Sequence, residues 1–274
     1  STPKNFQPFI LVSVITSAAL IPILLTKKKP PTFKKITAMS LNELYKSSPF
    51  GIVSSFFYGT IQSALFTLLA VYATSMNFTI FEISIVTFLL AISGAIAQFP
   101  VGKISDFYDR RKVIIASTFG AAIFAVFTIF VSGQMYLPDG LATSKTWFYI
   151  FFIFFSFCSL PMFSLILAHT NDYITKDKFV AAGAGLQFVF GLGAISGPFL
   201  CSIFMDIVGS NGFFIFLFFF HSLIGVFGIY RMRIRPTIEN PDSQFVAMPQ
   251  TITPAGIELN PTTEPIEEPI KEEN

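Results

Sequence analysis

The stretch GKISDFYDRRK places seven ionisable side chains in eleven residues: Lys103, Asp106, Tyr108, Asp109, Arg110, Arg111 and Lys112. About twenty residues on either side carry no charge. Two kinds of chemistry are open to such a cluster. Its guanidinium and carboxylate groups can pair with neighbouring helices, bidentately where arginine donates. Alternatively, they can serve as acid, base or ligand in an active site. The sequence supplies no partners for the second. It has no His-x-x-x-x-Asp pattern, no Gly-x-Ser-x-Gly elbow and no clustered metal ligands, and His169 with Asp172 is too sparse a pair. No catalytic residue, cofactor, metal site or nucleic-acid partner is expected.

The elements that hold the cluster follow from composition. Of 274 residues, 53% are hydrophobic, 36 are phenylalanine and only 12% are charged. That charged share is about half the usual one, too little to cover a soluble fold. Seven runs without Asp, Glu, Lys or Arg occupy about 6–26, 50–74, 83–101, 113–133, 147–168, 179–205 and 212–230. Each approaches the roughly 20 residues an α-helix needs to cross hydrocarbon. The runs are continuous rather than alternating, which excludes a barrel. The expected fold is all-α, a polytopic membrane protein with seven transmembrane helices.

Charge placement predicts orientation. The loops after the first, third, fifth and seventh runs hold Lys27, Lys28, Lys29, Lys34, Lys35, Lys46, Lys103, Arg110, Arg111, Lys112, Lys176, Lys178, Arg231, Arg233 and Arg235. Lys4 and Lys145 fall on the other side, and Lys271 lies in the tail. The positive-inside rule then puts the N-terminus of this chain outside and the C-terminus in the cytoplasm. There is no initiator Met, and basic residues follow the first run instead of preceding it, the reverse of a secretory signal. These features predict a fragment whose earlier helices are missing. Cys158 and Cys201 both lie inside apolar runs and suit buried filler better than a disulfide.

Four regions follow: a membrane helix at 1–26, a basic cytoplasmic connector at 27–49, a six-helix bundle at 50–232, and a tail at 236–274. Within the connector, SLNE (Ser40–Glu43) has the form of a capping box and marks a short interfacial helix around 40–47, with a solvated loop as the alternative. The tail has seven prolines, seven glutamates and one aspartate against one lysine, a disordered, acidic, solvated composition.

Gly102, Asp106, Arg110, Arg111 and Lys112, spaced Gly-x-x-x-Asp-x-x-x-Arg-Arg-Lys between two membrane helices, resemble the signature loop of the major facilitator superfamily of secondary transporters. That pattern is roughly G-x-L-x-D-R-x-G-R-R-K; Phe107 and Asp109 depart from it, and DRR also occurs in the second copy of the loop in some bacterial members. SPFGIVSSFFYG (Ser48–Gly59) resembles the superfamily's seventh helix, and GLGAISGP (Gly191–Pro198) its fifth and eleventh. The likeness covers about residues 6–235, as helices six to twelve of a twelve-helix protein: a half bundle plus one preceding helix, of an uncharacterised bacterial type.

The resemblance implies secondary active or facilitated transport of a small solute across the plasma membrane by alternating access, with a proton as the candidate coupling ion. Membrane lipid and the missing amino-terminal half of the same chain are then its partners. In that picture Asp106 faces the N-terminus of a helix in the missing half, and Arg110 or Arg111 pairs with Asp172, forming a cytoplasmic gate. Ser55, Tyr58 and Gln62 on the seventh helix, and Gln187 on the eleventh, are the substrate-cavity candidates, with interhelical hydrogen bonding as their alternative role. Gln98 and His169 suit gate or packing positions, and His221 a hydrogen-bonded packing role. Pro161 and Pro198 are expected to bend their helices. Gly191, Gly193 and Gly197 are expected to give close helix packing. The rival reading is a seven-helix membrane receptor or sensor, whose topology is the same. A retinal protein would need a lysine in 212–230, which has none.

Overall fold

A computed structural model describes residues 6–18, 21, 38–134, 141–234, 245 and 247. No strand occurs among them. The chain divides into two compact units. From the first unit only α1 (Gln7–Ala18) is described, a helix of 12 residues within the first apolar run. The basic stretch 27–37 and most of the tail lie outside the described residues.

The second unit is the bundle. A short α2 (Leu41–Ser47) precedes α3 (Pro49–Ser75), α4 (Ile80–Phe107), α5 (Arg110–Gln134), α6 (Leu141–Ser159), α7 (Met162–Asn171), α8 (Phe179–Val208) and α9 (Gly212–Ile234). The α6–α7 pair forms one span, giving six helices long and apolar enough to cross a membrane among the described residues. All match expected runs.

Helix ends are set by local chemistry. Ser48 accepts the Gly51 N–H at 3.3 Å, with Pro49 preset for the first turn of α3. Thr79 and Glu82 close a full capping box on α4. At SLNE only half a box forms. Ser40 accepts the Glu43 N–H at 3.1 Å, but the Glu43 carboxylate takes Lys178 Nζ at 2.7 Å. The α6–α7 break falls at Leu160 and Pro161, where Tyr58 donates its hydroxyl to the Leu160 carbonyl at 3.2 Å. Pro198 and Pro100 lie inside α8 and α4, and neither interrupts its helix.

Lipid gives membrane helices no hydrophobic reason to associate, so close packing and hydrogen bonds must hold them. The α3–α8 seam does this at backbone range. A Cβ on Gly59 would overlap the Phe190 carbonyl, one on Gly193 the Phe56 carbonyl, and one on Gly197 the Thr60 carbonyl. Ser55 adds a hydroxyl bond to the Leu186 carbonyl at 2.9 Å. Gly191 does not share in this, contrary to expectation: nothing lies within 4 Å of where its Cβ would stand. Two residues turn an α-helix by about 200°, so Gly191 faces away from the seam that Gly193 makes.

Phenylalanine fills the rest. Tyr72 stacks on Phe148 and Phe213, and Phe214 meets Tyr72, Phe148, Phe152 and Phe155 edge-on. His221, fully buried, ties α9 to α6. Its Nδ1 lies 2.7 Å from the Leu217 carbonyl, which can only accept, so Nδ1 carries the proton and Nε2 accepts from the Ser159 hydroxyl at 2.9 Å.

Gly193→Val should lower stability by about 1–3 kcal/mol through overpacking at the seam. Gly191→Val should stay within about 0.5 kcal/mol. Thermal unfolding in detergent checks both, and equal midpoints for the two variants would contradict the seam.

Candidate functional site

The charged cluster sits where α4 ends and α5 begins. Asp109 stands immediately before α5, and its Oδ1 accepts the Arg111 backbone N–H at 3.0 Å, capping the helix. The Arg111 side chain folds back onto the same carboxylate, with Nε 3.2 Å from Oδ1 and Nη2 3.1 Å from Oδ2. Two cations at a helix start oppose the helix dipole, and the Asp109 carboxylate offsets them there. Asp109, noted in the sequence only as a departure from the loop pattern, is thus both cap and ion-pair partner.

Arg110 points the other way. Its guanidinium is 3% exposed as a residue, donates to Asp106 Oδ1 at 3.0 Å and to the Ala168 carbonyl at 3.2 Å, and pairs with Asp172. Asp172 directly follows α7, so Arg110 joins the ends of α4, α5 and α7. A lone carboxylate at a helix C-terminus is unfavourable, whereas a cation there is favoured. Arg110 supplies that cation. Of the two arginines open to Asp172, Arg110 takes it.

The surrounding groups close the cluster. His169 packs edge-on against Phe50 and Tyr173, with ring centroids 5.2 and 5.0 Å away. Ser48 and Thr170 hydroxyls lie 3.4 Å apart. Among Ser48, Phe50, Arg111, His169, Tyr173 and Arg231 remains a crevice of about 10 Å³, room for one water and no solute. The arrangement is a closed, ion-paired cluster rather than a binding pocket. Lys112 is exposed and makes no ion pair among the described residues. Asp106 has a second donor: the backbone N–H of Phe245, 2.7 Å from Oδ1.

The sequence profile described as Major Facilitator Superfamily matches residues 51–266. The chain belongs to this superfamily. It is 27% identical over 221 residues to the uncharacterized MFS-type transporter YfkF of Bacillus subtilis, covering 77% of this chain and 52% of that one. With the uncharacterized MFS-type transporter YE1530 of Yersinia enterocolitica it shares 23% identity over 235 residues, 85% of this chain and 56% of the relative. The chain thus spans about half the length of these relatives. No solved structure matches it.

Within this superfamily bundle, the four cavity candidates fare differently. Ser55 and Tyr58 are buried, and their hydroxyls bond to backbone carbonyls of neighbouring segments. Gln62 is buried on the same stripe of α3. Gln187 is half-buried, and its Oε1 is buried with no hydrogen-bond partner among the described residues. The Ser55 and Tyr58 hydroxyls are therefore engaged in hydrogen bonds between segments, the alternative role the sequence allows. No group of three or more potential metal ligands occurs among the described residues.

Arg110→Ala should cost about 3–5 kcal/mol, because it leaves the buried Asp172 carboxylate without its cation. Lys112→Ala, at an exposed side chain, should stay within about 0.5 kcal/mol. Chemical unfolding of the full-length protein in detergent distinguishes them. In the Arg110→Ala/Asp172→Ala double variant the two losses should fall short of additive.

Proposed function

We propose that this chain is the carboxyl-terminal portion of a transporter that moves a small solute across the plasma membrane by alternating access. The Asp106–Arg110–Asp172 cluster acts as part of its cytoplasmic gate. Superfamily membership and the six-span bundle support the transport reading. The observation that carries the gate is Arg110, which connects the signature loop to the end of α7 through both carboxylates. Asp106 is the half-exposed member, its side chain 36% exposed against 8% for Asp172, so it is the carboxylate able to meet another part of the full protein.

Orientation rests on the charges. The bundle end that carries the signature loop also carries Lys176, Lys178, Arg231 and Arg233, and this clustering of positive charge supports a cytoplasmic assignment for that end. Coupling rests on what the spans lack. The described spans carry their charged residues at or near the ends, Arg110, Arg111, Glu82, Lys145 and Lys178 among them. Proton coupling, where it operates, would then use a titratable group elsewhere in the full-length protein; otherwise transport is facilitated. Gln187, with its unsatisfied buried oxygen, is the best-placed solute contact in this bundle, and a neutral or amphipathic solute suits an amide among phenylalanines. Nothing in the fold favours the receptor alternative.

The test is flux of a broad solute panel into proteoliposomes holding the full-length protein, with and without a pH gradient. Solute flux should appear, and Asp106→Asn should change its rate by about 10-fold, the scale of one charge-assisted hydrogen bond. Unchanged flux and unchanged cytoplasmic accessibility in Asp106→Asn would remove the gate assignment. Absence of any flux across the panel would remove the transport reading.

A further inference from the structure

We propose that the face formed by Gly102 and Asp106 is a docking site, and that its occupant is the carboxyl-terminal segment of this same chain at Phe245. The two residues lie four apart in the last turns of α4, so they share one side of the helix. Gly102 makes a flat place there, and the Phe245 ring lies against it so closely that a Cβ on Gly102 would overlap the ring. The ring also packs against the buried core of the bundle. Next to it, the Phe245 N–H donates to Asp106 Oδ1 at 2.7 Å. One residue is thus held by two independent contacts, one apolar and one polar. Asp106 has capacity for both Arg110 and Phe245, since a carboxylate offers about four lone-pair sites.

The sequence of the tail suits this use. Phe245 is the only aromatic residue after Tyr230. It lies in the window Ser243–Ile257, which carries no charge, between Asp242 and Glu258. An acidic segment would be repelled by the Asp106 carboxylate; the uncharged window brings a backbone N–H there without that penalty. Ten residues separate Ile234 from Phe245, a reach of up to about 33 Å.

A regulatory consequence follows, and it rests on the gate reading proposed above. The Phe245 N–H takes the same carboxylate that the gate would offer to a helix N-terminus from the rest of the protein. Tail docking and a helix N-terminus arriving at Asp106 then compete for the same face of α4, while the Arg110 pairs with Asp106 and Asp172 persist with the tail in place.

Hydrogen–deuterium exchange on the full-length protein in lipid tests the docking without reading transport. Peptides covering 243–248 should exchange about 10-fold more slowly than peptides covering 258–274, reflecting one added hydrogen bond and its packing. Asp106→Ala should abolish that difference, as should Gly102→Leu, which fills the flat place. Phe245→Ala alters only the tail and should free the neighbouring 246–248 amides, so a misfolded loop variant does not decide the matter. Equal exchange at 243–248 and 258–274 in the wild-type protein would overturn the proposal, as would protection that survives both Asp106→Ala and Phe245→Ala. Failure here leaves the gate reading standing, whereas unchanged transport in Asp106→Asn removes the gate and leaves the docking.

Discussion

Arg110 is a full positive charge withdrawn almost entirely from water, and such a group is tolerated only where carboxylates and carbonyls replace its hydration. That requirement constrains the bundle around it. Asp172 and the Ala168 carbonyl come from the end of α7, and Asp106 from the end of α4. All three must stand within reach of the first residue of α5. The dependence runs both ways. Asp172 at the C-terminus of a helix would be unfavourable without a cation, and Arg110 at the N-terminus of one would be unfavourable without carboxylates. Each end corrects the electrostatic fault of the other, so three helices meet with a defined register at one membrane surface.

Inside the membrane the same protein uses another kind of contact. Charged groups are expensive there, and apolar side chains gain little from each other over lipid. What remains is closeness. At Gly59, Gly193 and Gly197 the backbones of α3 and α8 approach until no Cβ fits between them. Helices in such contact cannot slide past each other without first separating. The ion-paired cluster at the end is softer, because ion pairs at a water boundary can exchange partners. The bundle thus combines a seam fixed by shape with an end fixed by charge.

The spans were legible because hydrocarbon excludes charge, and that exclusion writes itself directly into the sequence. The Pro161 break was legible for a similarly local reason, as proline removes a backbone donor. Choices between neighbours were not. Gly191 and Gly193 look alike in GLGAISGP, but only the rotational phase of α8 decides which one meets α3. Arg110 and Arg111 pose the same problem, being about 100° apart on α5. SLNE forms only half a capping box because Glu43 prefers Lys178, 135 positions away, which no local pattern records. Phe245 is the extreme case: its partners Gly102 and Asp106 lie in the one motif that the sequence singled out, yet nothing in that motif names a residue of the tail.

Asp109 sharpens what the loop can do. The superfamily pattern that this stretch resembles has glycine there, which would take away the carboxylate that Arg111 binds in this loop. Here Asp109 binds Arg111 with both oxygens, and its own side chain is 10% exposed. Arg111 is thereby ion-paired within its own loop, while Arg110 carries the ion pair from the loop to Asp172 at the end of α7. Of the three carboxylates that neutralise the two arginines, Asp109 and Asp172 are enclosed, and Asp106 keeps 36% of its side chain open. A partner arriving at this surface, whether tail or helix, therefore meets one available acceptor.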